Sequence, residues 1–276
     1  MKIKFIILVA IVIVLIMIFN NVSREEENIF FNPLELELGQ EFKVSKNDKT
    51  KYVLNYSILD VTGDVINDVI IVAGENLDEG KYTNFDVIVY DTSNEKMYKA
   101  IAKNIESKAT KIEVKDLTGD NLNDIVFMCE NEDKTLSVSI ATYKEGEFKE
   151  IFNARDNSGV NVSGTFLDGF KADINIKNFD KKNTYDLKEN KQNYITSGFY
   201  ADNGKLISNN RSIQISKFVD IEFVKLSNSY GLRTKQFIKG FDNLDILDEI
   251  QVLWKYENNK WIPCEAISAR LGNLLY

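Results

Sequence analysis

The stretch DVTGDVINDVIIV at residues 60–72 decides the fold, because a close copy, DLTGDNLNDIVFM, returns at residues 116–128. In each copy, a loop rich in Asp, Gly and Asn leads into a run of Val, Ile and Phe that is typical of a buried strand. Self-similarity at a period of about 50 to 60 residues indicates a repeat architecture. Residues 60–68 are named the first D-loop here, and residues 116–124 the second D-loop.

A common hairpin plan follows the D-loops and returns near the end of the chain. Glu145-Gly146 and Asn258-Asn259 fit two-residue turns that need positive φ, and residues 92–95 fit a four-residue loop. Each turn would place an ion pair above an apolar pair. The predicted cross-strand pairs are Lys144–Glu147 and Tyr143–Phe148, Glu257–Lys260 and Tyr256–Trp261, and Asp91–Lys96 and Tyr90–Met97.

The rest of the chain fits the same plan with fewer features. Residues 164–189 indicate a further hairpin without a D-loop, and FVDIEFVKL at 218–226 indicates the leading strand of a third repeat. Four-stranded units at this period describe propeller blades. We therefore predict an all-β domain over residues 47–276, a small or incomplete β-propeller of about four blade-like units. A two-sheet sandwich is the alternative, because period and strand count do not fix closure.

The first 46 residues predict where this domain lies. Lys2 and Lys4 precede an uninterrupted apolar run at 5–19, which indicates one N-terminal transmembrane helix. No A-x-A-like cleavage site follows, so residues 1–23 are predicted to be an uncleaved signal anchor in the cell membrane; secretion after cleavage is the alternative. Residues 24–46 are predicted to be a stalk with one strand at LELEL, 34–38. The domain would then be extracytoplasmic.

Composition excludes several functions. A net charge of -8 argues against a nucleic-acid partner. The chain has no histidine, which removes Ser-His-Asp and Cys-His catalysis and histidine-ligated zinc. Cys129 and Cys264 lie far apart, so a metal knuckle is excluded and one disulfide is the alternative to two isolated thiols.

The D-loops carry the chemistry of a hard cation. Oxygen-bearing side chains stand at positions 1, 3, 5 and 9, and position 7 would offer a main-chain carbonyl, a pattern that suits Ca²⁺. The predicted ligands are Asp60, Thr62, Asp64, Ile66 and Asp68 in the first D-loop, and Asp116, Thr118, Asp120, Leu122 and Asp124 in the second. The competing interpretation is that Asp, Gly and Asn are simply good turn formers.

These nine-residue loops resemble those of the FG-GAP and VCBS repeats of integrin-alpha-like β-propellers, and in particular of membrane-attached VCBS repeat proteins of spore-forming bacteria. The resemblance covers residues 50–150 well and 215–268 loosely. In that family the loop reads close to D-x-[DNT]-G-D-G-x-x-D and binds calcium for stiffness rather than catalysis. The resemblance therefore implies structural calcium on the ten residues given above.

Position 6 departs from the family pattern. The family has glycine there because the turn tends to need positive φ, whereas this chain has Val65 and Asn121. Asparagine tolerates that conformation and β-branched valine does not. We therefore rank the second D-loop above the first as a calcium site, and expect weak binding because threonine is a neutral ligand. In the third repeat, Asp220 and Glu222 match positions 1 and 3, but Val224 and Asn228 replace the carboxylates at positions 5 and 9, so no metal is expected there.

Two other features allow a different function. Asp242, Asp245, Asp248 and Glu249 could serve an envelope enzyme that acts on glycans, although a solvated turn ahead of the last hairpin is the favoured interpretation. Trp254 and Trp261 fit either a packed hairpin or a platform for sugar rings. Ser158 and Ser163 are expected to be loop serines. The favoured function is a non-enzymatic module that binds an envelope protein or glycan, or serves as a scaffold.

Overall fold

The computed structural model describes residues 35–44, 48–78, 80–153, 157–207 and 212–275. In this part of the chain the strands form four antiparallel sheets. The first sheet has the order β1-β2-β3-β4-β5, and the second has the order β6-β7-β8-β9. Their strands are β1 (Glu41–Phe42), β2 (Lys51–Leu59), β3 (Asp68–Asp78), β4 (Lys81–Asp91), β5 (Lys96–Lys103), β6 (Thr110–Lys115), β7 (Asp124–Glu130), β8 (Leu136–Lys144) and β9 (Glu147–Asn153).

The third sheet has the order β10-β11-β12, and the fourth has the order β13-β15-β16-β17-β18 with β14 also paired to β15. Their strands are β10 (Val162–Leu167), β11 (Lys171–Ile176), β12 (Lys181–Asp186), β13 (Gln214–Ile215), β14 (Asp220–Lys225), β15 (Tyr230–Lys239), β16 (Ile246–Glu257), β17 (Lys260–Ser268) and β18 (Gly272–Leu275). Two 3-10 turns, Lys177–Phe179 and Lys188–Asn190, precede the short helix α1 (Lys191–Thr196). The prediction of an all-β chain is confirmed for the described residues.

The hairpin plan is confirmed residue by residue. Lys144 faces Glu147 and Tyr143 faces Phe148; the corresponding pairs at the last hairpin and at the four-residue loop also form. Glu145 and Gly146 both have positive φ, as do Asn258 and Asn259. Turn chemistry and the common pairing plan together therefore predicted the register of the three hairpins.

The first, second and fourth sheets pack face to face, and the last strands of their three hairpins, β5, β9 and β17, contact one another in turn. Between β5 and β9, Lys103 pairs with Glu150 at 2.6 Å and Tyr98 packs on Phe148. Between β9 and β17, the indole of Trp261 donates to the carbonyl of Ile151 at 3.0 Å. The third sheet also packs on the fourth, since their aromatic and aliphatic side chains share one core. This stacking brings corresponding loops of successive sheets together.

Three apolar cores lie between and over these sheets. The first and second sheets bury Ile70, Val87 and Phe127 between them. The opposite face of the first sheet buries Val69, Ile71 and Ile88. The largest core joins the second, third and fourth sheets. Alternate residues of β3 thus enter two different cores, which explains why that strand reads as a continuous apolar run.

Two details of the sequence interpretation are wrong. Residues 35–38 of the predicted LELEL strand form a bend and a turn, and the first strand begins at Glu41. Asp220 and Glu222 do not belong to a loop, because they lie within β14 and face Lys235 and Arg233. The loop of the third repeat is the shorter segment 226–229, between β14 and β15.

The predicted anchor at residues 1–23 lies outside the described residues, as does most of the predicted stalk. Among the described residues, no helix has the length and apolar character needed to cross a bilayer.

Candidate functional site

The D-loops join equivalent strands, β2 to β3 in the first sheet and β6 to β7 in the second. The position-1 carboxylate folds each loop by accepting two main-chain N–H groups. Asp60 accepts from Gly63 at 2.7 Å and Val65 at 2.9 Å. Asp116 accepts from the corresponding Gly119 and Asn121, at 2.6 and 3.1 Å. The two loops therefore share one local geometry, which the repeated sequence predicted.

The position-9 carboxylates, Asp68 and Asp124, are fully buried. Oδ2 of Asp124 accepts the N–H groups of Leu117 at 2.7 Å and Thr118 at 2.9 Å, and Oδ2 of Asp68 accepts the equivalent pair. Their Oδ1 atoms, in contrast, are buried and have no hydrogen-bond partner among the described residues. A buried carboxylate oxygen without a donor is costly, so both Oδ1 atoms need an explanation.

Positions 3 and 5 distinguish the loops. The hydroxyl of Thr62 donates to Asp68 Oδ2 at 3.1 Å, whereas Thr118 Oγ1 is buried and has no partner in the described part of the chain. Asp64 and Asp120 are exposed, and each accepts the N–H two residues ahead, at 2.8 and 2.9 Å. The second D-loop thus has two orphaned oxygens, on Thr118 and Asp124, and the first D-loop has one.

The charge state of Asp124 reflects this burial. Desolvation raises its pKa to about 6, against the opposing effect of the nearby Thr142 hydroxyl and the two loop N–H groups. Desolvation also raises the pKa of Asp68, but less strongly. The pKa of exposed Asp64 is lowered, chiefly by a hydrogen bond from Ser93. A cation beside Asp124 would favour the ionised form that burial disfavours.

Position 6 adopts the conformation predicted for it. Val65 has φ of 71° and Asn121 has φ of 68°. Val65 is 90% exposed, so no packing compensates for the strain that a β-branched residue incurs there.

The two D-loops contact each other, which the sequence interpretation did not predict. Asn123 donates through its side-chain amide to the carbonyl oxygen of Asp60 at 3.0 Å, and Leu122 packs against Gly63. The second D-loop in turn contacts the fourth sheet, because Tyr230 N–H donates to the carbonyl of Asp116 at 2.8 Å. Asn123 is position 8 of its loop and Asn67 is its counterpart, so the repeated asparagine was the available signal.

The carboxylates of one loop accept hydrogen bonds from different main-chain N–H groups, as Asp60, Asp64 and Asp68 do in the first D-loop. Within the described ranges, no three Asp, Glu or Cys side chains come close enough together to hold a metal ion by themselves. Any cation at a D-loop would therefore need neutral oxygens such as Thr118 Oγ1 and main-chain carbonyls besides the carboxylates.

The carboxylates at 242–249 are largely tied into the fold. Asp245 is 6% exposed and accepts from the hydroxyl of Tyr194, and Asp248 is 3% exposed and accepts from the hydroxyls of Tyr185 and Ser268. The pKa values of both tyrosines are raised by burial and by these carboxylates. These tyrosine–carboxylate hydrogen bonds connect the third sheet and α1 to the chain at the start of β16. Sequence reasoning missed both tyrosines because they lie 51 and 63 residues away from their carboxylates.

The remaining candidates have simple structural surroundings. Cys129 and Cys264 carry free thiols, and burial raises the pKa of Cys129 to about 12. Trp254 is buried and its indole N–H donates to Thr234 at 2.9 Å, while Trp261 is half-buried. Ser158 lies in a loop, but Ser163 lies in β10, where it faces Asn175.

One family is similar to part of the chain. The model described as "YybI C-terminal domain" matches residues 160–268. This segment contains the third sheet and most of the fourth, and it begins after both D-loops. No curated protein and no solved structure matches the chain.

Proposed function

We propose that the chain is a non-enzymatic β-repeat module, anchored in the cell membrane by residues 1–23, that binds an envelope protein or glycan or serves as a scaffold. The apolar run at 5–19, with Lys2 and Lys4 before it, supports the anchor. The face-to-face stacking of equivalent strands in three sheets supports blade-like units of a small or incomplete propeller, related to the FG-GAP and VCBS repeats.

The proposal includes a structural calcium ion at the D-loops, more strongly at the second. It depends above all on the two buried, unpartnered oxygens of the second loop, Thr118 Oγ1 and Asp124 Oδ1. Asp116, Asp120 and the carbonyl of Leu122 would complete an all-oxygen set. Bound calcium would supply the positive charge that a buried Asp124 carboxylate needs, and it would stiffen the loop that joins β6 to β7.

The first D-loop fits the ion less well. Thr62 already donates to Asp68, and Val65 strains the turn. Asp60, Asp64, Asp68 and the carbonyl of Ile66 would still provide oxygens. We therefore propose a weaker site there, on the residues that correspond to those of the second loop.

Thermal unfolding tests the calcium proposal. The full chain is unfolded with millimolar calcium and with a chelator, and magnesium serves as the ionic control. Selective binding to the native state must raise the midpoint by mass action. Asp120→Ala should remove more of this shift than Asp64→Ala, because the second D-loop is the stronger of the two proposed sites. The two variants are matched, since each loses the equivalent hydrogen bond within its own loop. No shift with calcium would sink the metal proposal.

Fractionation tests the anchor. A chain that keeps residues 1–23 should sediment with membranes and resist extraction by high salt, and an external protease should digest the domain in intact cells. Mass measurement of its N-terminus distinguishes an anchor from a cleaved signal. Recovery of the intact chain in the soluble cytoplasmic fraction would contradict the proposed location.

A further inference from the structure

A cavity of about 290 Å³ lies at the junction of the second and fourth sheets and the loop before β10. Its lining combines aromatic rings with small amide and hydroxyl side chains. The described residues that line it are Phe152, Asn157, Ser158, Gly159, Asn161, Asn178, Phe218, Trp254 and Trp261. None of these carries a charge, although 28% of the residues in the chain are charged. The lining therefore suits a neutral ligand that has both apolar and hydrogen-bonding surfaces.

The aromatic floor is fixed by internal contacts. The ring of Trp261 meets that of Phe152 edge-on, with centroids 5.3 Å apart, and Phe152 also contacts Phe218. Both indole N–H groups are already used, by the carbonyl of Ile151 and the hydroxyl of Thr234. The tryptophans therefore present ring surface to a ligand but no N–H donor.

The loop that carries the polar lining residues is fixed by hydrogen bonds to the buried side chain of Gln236. Gln236 is 1% exposed; its Oε1 accepts Val160 N–H at 2.8 Å, and its Nε2 donates to the carbonyl of Ser158 at 3.0 Å. Gly159 has φ of 84°, and a Cβ there would lie 2.0 Å from Gln236 Oε1. The loop at 157–161 is thus fixed before any ligand arrives, which lowers the entropic cost of binding.

The rim offers hydrogen-bonding groups that the fold does not use. The side-chain amides of Asn157 and Asn161 make no hydrogen bond in the described part of the chain, and Asn178 uses only Oδ1, which accepts Asn161 N–H. An amide both donates and accepts, as does each hydroxyl group of a sugar. A prolyl peptide, in contrast, presents acceptors alone and would call on the tryptophan N–H groups, which are occupied.

We propose that this cavity binds one or two residues of a neutral saccharide. One C–H face of a pyranose ring would pack on Trp261, and its hydroxyl groups would bond to Asn157, Asn161 and Asn178. Five of the lining residues lie within residues 160–268, the segment that matches the YybI C-terminal domain: Asn161, Asn178, Phe218, Trp254 and Trp261. The proposal rests on the glycan-binding role proposed above, but it stands apart from the calcium proposal, because no D-loop residue lines the cavity.

Intrinsic fluorescence tests the proposal directly, since Trp254 and Trp261 are the only tryptophans of the chain. The full chain, in a detergent without a sugar headgroup, is titrated with cellotriose, chitotriose and maltotriose. The acidic trigalacturonate and a prolyl decapeptide are the comparison probes. At least one neutral trisaccharide should change the emission saturably at millimolar concentration and protect the tryptophans from acrylamide.

Half-buried Asn157 and exposed Asn161 provide variants that leave the fold intact, because neither side chain holds another part of the described chain. Asn157→Ala and Asn161→Ala should each weaken binding roughly three- to tenfold, the effect of one lost hydrogen bond. Asn193→Ala, on the exposed face of α1, is the matched control and should bind as the parent does. A response to the acidic sugar or the peptide alone, no response to any probe, or equal binding by all three variants would each overturn the proposal.

Discussion

The side-chain amide of Asn123 bonds to the main-chain carbonyl of Asp60 across two sheets, at 3.0 Å. Leu122, beside it, packs on Gly63 so closely that a Cβ at Gly63 would lie 2.5 Å from its Cδ2. The two D-loops are therefore one contiguous structure rather than two separate turns. A change of conformation in one loop acts on the other through these contacts.

Exchange of the position-6 residues should alter stability in opposite directions. Val65→Asn relieves a left-handed valine that is 90% exposed, and should raise the free energy of unfolding by about 1 kcal/mol. Asn121→Val places the same strain in the second D-loop and should lower it by a similar amount. Urea denaturation of both variants in chelator measures the effect. Equal stability of the two variants would refute the strain at position 6.

Asp124 should make stability depend on pH. Its pKa is raised from 3.8 to about 6 in the folded chain, so between these values the native state holds a proton that the unfolded state has lost. The free energy of unfolding should therefore be highest below pH 4 as far as Asp124 is concerned, and should fall by up to ~3 kcal/mol as the pH rises to about 6.

The variant Asp124→Asn is neutral at every pH and isolates this effect. In chelator, its stability relative to the parent should increase between pH 4 and pH 7, because only the parent carries a buried charge at the higher pH. With calcium at pH 7 the parent should gain stability relative to the variant, because the cation stabilises only the parent. Denaturation curves at several pH values, with and without calcium, measure both effects. A pH-independent difference between parent and variant would contradict the burial of the charge.

Local chemistry explains what the sequence predicted. Positive φ at Asn258-Asn259 and hydrogen bonding of Asp60 to N–H groups three and five residues ahead involve only neighbours in the chain. The hairpins and the positive φ at position 6 of the D-loops could therefore be derived from the residues themselves. The repetition also predicted several similar β units, although period and strand count left their arrangement open.

Long-range polar contacts could not be derived in this way. Gln236 bonds to a loop 76 residues earlier, and no neighbouring residue distinguishes it from other glutamines in strands. The wrong prediction for the loop of the third repeat had a local cause. Asp220 and Glu222 alternate with Ile221 and Phe223, which is the period of a strand, and this spacing also matches positions 1 and 3 of the loop pattern.

Removal of one tyrosine hydroxyl should show what the 242–249 carboxylates do. In Tyr194→Phe, the buried Asp245 keeps the Phe241 N–H at 3.1 Å but loses its hydroxyl donor, so the free energy of unfolding should fall by about 2 kcal/mol. Tyr185→Phe should cost less, because Asp248 still accepts from Ser268 and from two N–H groups.

Tyr56→Phe is the control for both variants, because Tyr56 is 38% exposed and its change should stay within about 0.5 kcal/mol. Chemical denaturation at neutral pH gives all three values. If Tyr194→Phe is as stable as Tyr56→Phe, the hydrogen bond between Tyr194 and Asp245 does not stabilise the fold, and the structural role assigned to this carboxylate is wrong.

Gln236 should be the residue on which the loop at 157–161 depends most. Gln236→Ala leaves Val160 N–H and the carbonyls of Ser158 and Ser216 without their partner in a buried place. Loss of three such bonds should lower the free energy of unfolding by roughly 2 to 4 kcal/mol. The emission of Trp254 and Trp261 should also become easier to quench with acrylamide, because the loop borders their cavity.

Gln251→Ala is the matched control, since Gln251 also lies on a strand of the fourth sheet, and within the described part of the chain its side chain bonds only to that of Glu249 on the same strand. Its denaturation midpoint and its quenching should stay close to those of the parent. If Gln236→Ala matches this control in both measurements, the loop is held by its own turn residues instead. If it loses stability without a change in quenching, Gln236 supports the fourth sheet through Ser216 rather than the cavity.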